Sequence, residues 1–203
     1  MSKTLVRKLV GTVAAVTLTA ALGACSGNTG GGISDQWNES ADKGFVAGDG
    51  SSVSIIPAER SNPVEFSGTD PHGEPVESAD FTGSVTVVNF WYAGCAPCRA
   101  EAADLVGAYE KYSPDGVKFL GVNTRDQAAQ ALQFEKEFGI PFPSVIDMQG
   151  DRGVQRAFAG EVPLNAVPTT LVLDTQGRIA HRVLGQLSSQ SQLETLIKET
   201  LSE

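Results

Sequence analysis

Two of the three cysteines in this chain stand three residues apart, in the string Trp91-Tyr92-Ala93-Gly94-Cys95-Ala96-Pro97-Cys98-Arg99. That spacing suits dithiol chemistry when it opens a helix. One turn brings Cα atoms three apart to roughly 5–6 Å, the separation a disulfide needs. At the helix cap, Cys95 meets unpaired backbone N–H groups and the positive end of the helix, which stabilise a thiolate. The thiolate is the nucleophile, so Cys95 is the expected attacking sulfur, open to solvent. Cys98 lies one turn in, on the apolar stripe, shielded and placed to resolve a mixed disulfide between Cys95 and a substrate. A purely structural disulfide here closes too short a loop to constrain much of the chain. Zinc needs more ligands than one C-x-x-C supplies, and His72 and His181 do not form a second pair. No metal and no cofactor beyond the redox-active disulfide is expected.

The elements around this string must hold it in place. Residues 85–91 are β-branched and almost continuously apolar, as a central strand covered on both faces should be. Residues 96–112 follow as a helix, with Cys98, Ala102, Leu105, Val106, Tyr109 and Tyr112 at helical spacing and Arg99, Glu101, Asp104 and Lys111 off that stripe. Pro97 falls in the first turn, where its missing N–H costs nothing. A second buried strand is read at 117–123, a helix at 127–138, a short strand at 144–146 and a short helix at 153–158. Strands at 169–173 and 178–184 join through Thr175-Gln176-Gly177. A helix at 188–201 closes the chain, with capping-box spacing at Ser189 and Gln192 and a buried stripe of Leu193, Leu196, Ile197 and Leu201. Upstream, residues 53–56 read as a short strand. Residues 63–81 read as a hairpin around Asp70-Pro71-His72-Gly73. The alternation of strands and helices implies a three-layer α/β domain with a mixed sheet.

The chain has 203 residues, 41% of them hydrophobic, and a formal charge of −9. That is enough apolar material for one packed domain with appendages. The acidic balance argues against a nucleic-acid partner, which requires a basic face. Lys3, Arg7 and Lys8 precede an apolar run over residues 9–24, shorter than the roughly 20 residues that span a bilayer. This pattern reads as a secretory signal over residues 1–24. The run ends in Leu22-Gly23-Ala24-Cys25, which resembles a bacterial lipobox. In that case Cys25 carries lipid and becomes the mature N-terminus, anchored to the membrane; ordinary secretion with Cys25 as a free thiol is the alternative. Residues 25–50 read as a flexible tether, because seven of the chain's 22 glycines fall there and few apolar residues do. Residues 51–203 then form the globular domain.

Three ordered landmarks carry a family resemblance: the hairpin from Pro63-Val64-Glu65-Phe66 to Ala79-Asp80-Phe81-Thr82-Gly83, the string VVNFWYAGCAPCRAE, and Val167-Pro168-Thr169-Thr170. Over about residues 58–203 the chain resembles the membrane-tethered TlpA/ResA-type thiol–disulfide oxidoreductases. The resemblance implies a thioredoxin fold with a mixed central sheet flanked by helices, an N-terminal β-hairpin extension and an added βα insertion. It implies Cys95 as attacking and Cys98 as resolving thiol. It makes Pro168 cis, with Val167 offering backbone hydrogen bonds to an extended substrate peptide; a trans proline opening an edge strand is the other possibility. Trp91, Ala96 and Pro97 complete the expected substrate surface. The family carries an acidic residue after its second core strand, and Asp126 holds that position, either as a proton acceptor or as a cap for the helix starting at Gln127. Asn89 stands where many thioredoxins carry a buried acid, which favours Asp126 as the titrating group. One departure matters: many relatives have Trp immediately before the first cysteine, and here it is Gly94. The missing aromatic wall is expected to open the surface beside the sulfur.

The activity implied is extracytoplasmic thiol–disulfide exchange, by a monomer. The resemblance further implies that it reduces the haem-attachment cysteines of apocytochrome c, with electrons from a membrane thiol transporter. A general exported disulfide oxidase or reductase is the alternative. A thiol peroxidase fits less well, since the P-x-x-x-T-x-x-C arrangement is missing.

Overall fold

The computed structural model describes residues 49–148, 153–163 and 166–203. The signal, Cys25 and the tether up to residue 48 lie outside the described residues. Among the described residues, eight strands and four α-helices follow in chain order. Strand β1 is Ser52–Ser54, and β2 (Ser67–Thr69) pairs antiparallel with β3 (Pro75–Glu77) as the expected hairpin. Strand β4 (Thr86–Trp91) leads into helix α1 (Ala96–Tyr112). Strand β5 (Lys118–Asn123), helix α2 (Ala128–Phe138), strand β6 (Ser144–Ile146) and the short helix α3 (Gly153–Ala157) come next. Strands β7 (Thr169–Leu173) and β8 (Ile179–Leu184) precede helix α4 (Gln190–Leu201).

The main sheet runs β1-β8-β7-β4-β5-β6. β4 pairs parallel with β5 and antiparallel with β7, so the sheet is mixed and β4 lies inside it. Every residue of β4 is buried, as the unbroken apolar run required. Strand alternation splits its side chains between two layers. Val88 and Phe90 face a core with Leu120, Val122, Leu171, Phe158 and, from the hairpin side, Phe66 and Val76. Val87 faces a second core, where Leu105, Ala108 and Tyr112 of α1 meet Leu193, Leu196 and Ile197 of α4.

Helix α4 departs from expectation at both ends. Ser189 caps it, its Oγ accepting from the Gln192 N–H, but the Gln192 side chain reaches back to Ser188 and not to Ser189. Leu201 is 45% exposed and not part of the buried stripe. It sits in the last turn, and the residue that turns inward there is Thr200. The N-terminal arm is fastened nearby. Gly50 donates its N–H to the Leu184 carbonyl at 2.8 Å, and its own carbonyl accepts from Gln192 Nε2 at 2.9 Å. Among the described residues no helix is long and apolar enough to cross a membrane.

Candidate active site

Strand β4 delivers its last residue, Trp91, to the end of the sheet, and the chain turns through Tyr92–Gly94 into α1. Cys95 is the N-cap of that helix, with extended backbone angles, and its Sγ accepts the N–H of Cys98 at 3.2 Å. An orphan donor of the helix start is thus aimed at the sulfur, the arrangement that stabilises a thiolate there. Pro97 occupies the first turn. Cys95 and Cys98 are joined as a disulfide with Cα atoms 5.2 Å apart.

The expected contrast in exposure is not found. Both cysteines are 2% exposed. They share an apolar cluster with Trp91, Ala102, Ala131, Phe134 and Val167, and Tyr92 packs against that cluster from the preceding loop. The surface beside the sulfur is therefore not opened by Gly94. A Cβ placed on Gly94 would lie 3.5 Å from the Tyr92 ring, in ordinary van der Waals contact, so an aromatic side chain from two residues earlier borders that position.

Trp91 also sits differently from the expected substrate surface. It is buried, with its ring centroid 4.3 Å from that of Phe134 on α2. Strand alternation turns it toward the helices, and Gly121 on the adjoining β5 leaves room for it. A Cβ on Gly121 would stand 2.8 Å from Trp91 Nε1 and 2.4 Å from Ser144 Oγ, contacts no real side chain tolerates. Trp91 thus forms a wall beneath the dithiol, whereas Ala96 is exposed and Pro97 partly so at its rim. The Val167–Pro168 peptide bond is cis, and the Pro168 carbonyl accepts the Gly185 N–H at 2.9 Å. Val167 lies in the same cluster as Cys95, so the loop and the dithiol adjoin.

Two acids lie near the pair. Asp126 does not cap α2; the cap is Gln127, in a reciprocal box with Gln130. Asp126 instead accepts the backbone N–H of Ala93 at 2.5 Å and Asn123 Nδ2 at 2.9 Å, clamping the loop that leads to Cys95. The buried acid is Glu101, one turn beyond Cys98 and completely inaccessible. Its Oε1 accepts from Asn89 Nδ2 at 2.9 Å, and its Oε2 accepts from the Leu187 N–H at 2.8 Å. The second N–H of Asn89 goes to Thr170 Oγ1 at 3.0 Å. Burial pushes the Glu101 carboxyl up to about 7, against the hydrogen bonds from Leu187 and Asn89, which lower it. A carboxyl that titrates near neutrality, one turn from the inner sulfur, can exchange a proton in the working range. The signal for Glu101 was present in its spacing: three after Cys98 and four before Leu105, it falls on the apolar stripe and not off it. His72 lies in the hairpin turn, its N–H on Asp70, and His181 lies on β8 with Nδ1 2.9 Å from Ser54 Oγ.

Comparison with known proteins agrees with this geometry. The sequence pattern of the AhpC/TSA family matches residues 61–182. The thiol-disulfide oxidoreductase ResA of Bacillus subtilis (strain 168) is 28% identical over 131 residues, 64% of this chain and 70% of ResA. The thiol:disulfide interchange protein HelX of Rhodobacter capsulatus is 37% identical over 116 residues, 56% of this chain and 60% of HelX. Among solved structures, a secreted thiol-disulfide isomerase from Corynebacterium glutamicum has a TM-score of 0.68 at 29% identity, covering 78% of this chain and 97% of its own. A DsbF homologue from Corynebacterium diphtheriae has a TM-score of 0.64 at 31% identity, covering 75% and 94%. The fold expected from the resemblance, a thioredoxin-like mixed sheet with flanking helices, is the one found.

Proposed function

The chain belongs to the AhpC/TSA family and is a thiol–disulfide oxidoreductase of the TlpA/ResA type, and from that premise we propose that it works outside the cytoplasmic membrane as a reductant of protein disulfides. The proposed substrate is the haem-attachment cysteine pair of apocytochrome c. A membrane thiol transporter supplies the electrons, and lipid on Cys25 holds the protein at the membrane. The secreted C. glutamicum relative and the basic-then-apolar start of the chain support the location. The observation that carries the reading is the dithiol at the cap of α1 with a neutral-range carboxyl one turn behind it.

The reaction follows from that placement. The Cys95 thiolate attacks one sulfur of the substrate disulfide, and the other sulfur leaves as a thiolate. Cys98 yields its proton to Glu101 and attacks Cys95 Sγ. The mixed disulfide breaks, the substrate departs with two added electrons, and the Cys95–Cys98 disulfide is left. An incoming dithiol then reverses the sequence and restores the reduced pair. Asn89 and the Leu187 N–H fix the orientation of the Glu101 carboxyl, and Asp126 fixes the loop before Cys95.

Two measurements test this. Cys98→Ser in the full chain should trap substrate on Cys95 as a mixed disulfide, identifiable by mass spectrometry; the trapped protein should be a haem-attachment polypeptide. A redox titration should place the pair near the thioredoxin value of about −270 mV. A value near about −120 mV would instead assign it an oxidase's task.

A further inference from the structure

Cys95 is covered although the residues on either side of it, Gly94 and Ala96, are exposed. Two loops interlock beside it. Tyr92 packs on the cluster that holds Cys95, Trp91 and Val167. From the loop after β5, the Arg125 guanidinium lies over the Tyr92 ring, 4.4 Å from its centroid. The next residue, Asp126, holds the N–H of the residue after Tyr92. Consecutive residues of one loop therefore grip consecutive residues of the other, Arg125 on Tyr92 and Asp126 on Ala93.

We propose that Tyr92, latched by Arg125, is a specificity-determining residue that admits polypeptide disulfides to Cys95 and slows small ones. Exchange requires the incoming sulfur to reach Cys95 Sγ directly: one S–S bond breaks as another forms, and the leaving sulfur departs with the electron pair as a thiolate. On this proposal the Tyr92 ring, which lies beside Gly94 and against the cluster of Cys95, stands in the way of that approach. A small disulfide has few other contacts with which to offset the displacement. A polypeptide running past Val167 and Pro168 has many, and its remote binding energy is spent on uncovering the sulfur. Gly94 belongs to the same device, because the Tyr92 ring borders the position where its side chain would begin.

The inference rests on the dithiol assignment but not on the direction of electron flow. In the full chain carrying Cys25→Ser and Cys98→Ser, Cys95 is the sole thiol of the original three. Its reaction rate is measured with neutral 4,4′-dithiodipyridine and with insulin, each divided by the thiolate fraction read from absorbance near 240 nm across pH. Tyr92→Ala should speed the small disulfide roughly tenfold and insulin much less. Tyr92→Phe, which keeps a ring beneath Arg125, should restore the slow rate. Arg125→Ala, on the surface, should speed the small disulfide by roughly threefold and keeps the test open if Tyr92→Ala fails to fold. Equal acceleration of both probes, no acceleration in either alanine variant, or a fast Tyr92→Phe would overturn the assignment. If the dithiol reading itself were wrong, Cys95 would form no mixed disulfide with either probe in any variant, a result distinct from all of these.

Discussion

On the hairpin side of β4, Val88 and Phe90 lie in an apolar cluster. Phe158 stands edge-on to Phe90 with centroids 5.5 Å apart, and Phe66 lies 5.9 Å from Phe158. On the helix side of the same strand, Val87 is followed by Asn89 and Trp91, and these meet Glu101 and the cluster of the dithiol. The strand's twofold alternation thus sorts six consecutive buried residues into a structural face and a chemical face. The lesson is that burial alone does not mark a core residue as inert. On one side it excludes water to hold the sheet together, and on the other it raises the carboxyl of Glu101 to where it can trade protons.

The comparison can be broken from either side. Phe158→Ala should remove about 3–5 kcal/mol of stability, by the loss of a fully buried ring and the cavity left behind. Urea unfolding reads that loss, while the reduction potential of the dithiol should stay where it was. A large change in potential would mean that the two faces are not separate. Glu101→Gln comes next. Folded Glu101 keeps its proton up to about pH 7, against 4.5 for the ordinary group. The folded state therefore binds the extra proton between those values, and stability falls as pH rises through that window, by about 3 kcal/mol in all. Glutamine should flatten this decline, leaving a constant offset of about 1 kcal/mol because one of its amide N–H bonds faces a donor. The same variant should slow resolution of the mixed disulfide by roughly tenfold or more, as loss of a general base does, with formation of that disulfide less affected; stopped-flow quenching separates the two steps. The smallest effect is expected for Asn89→Ala, about 1–2 kcal/mol from two lost hydrogen bonds. Because the Asn89 N–H favours the ionised carboxyl, its removal should move the midpoint of the pH dependence upward, as a pH series of melting curves would show.

The parts legible in the sequence were those decided by near neighbours in the chain. The unbroken apolar run of β4, the helix opening at Cys95, the hairpin around Asp70–Gly73 and the spacing of the two sulfurs all follow from local pattern and turn chemistry, and the fold matches them. What escaped depended on partners far along the chain. Glu101 reads as a surface charge until a backbone N–H arrives from Leu187, 86 residues later, to make its burial tolerable. Nothing in the sequence joins Tyr92 to Arg125, which lies 33 positions later and over its ring. Asp126 reads as a proton acceptor or a helix cap; the cap is excluded because Gln127 holds that position, and the Asp126 carboxylate is instead taken by the Ala93 N–H on another loop. Trp91 reads as a substrate contact until the empty space over Gly121 shows where its indole goes.

The grip on Gly50 has a practical consequence. Its N–H and carbonyl are tied to Leu184 and Gln192, which bracket the short loop whose Leu187 N–H orients Glu101. A shortened version of the protein that starts at the first strand would release one side of that bracket and loosen the acid's support from more than a hundred residues away in the chain. Tags and fusions joined upstream of Gly50 leave the bracket whole.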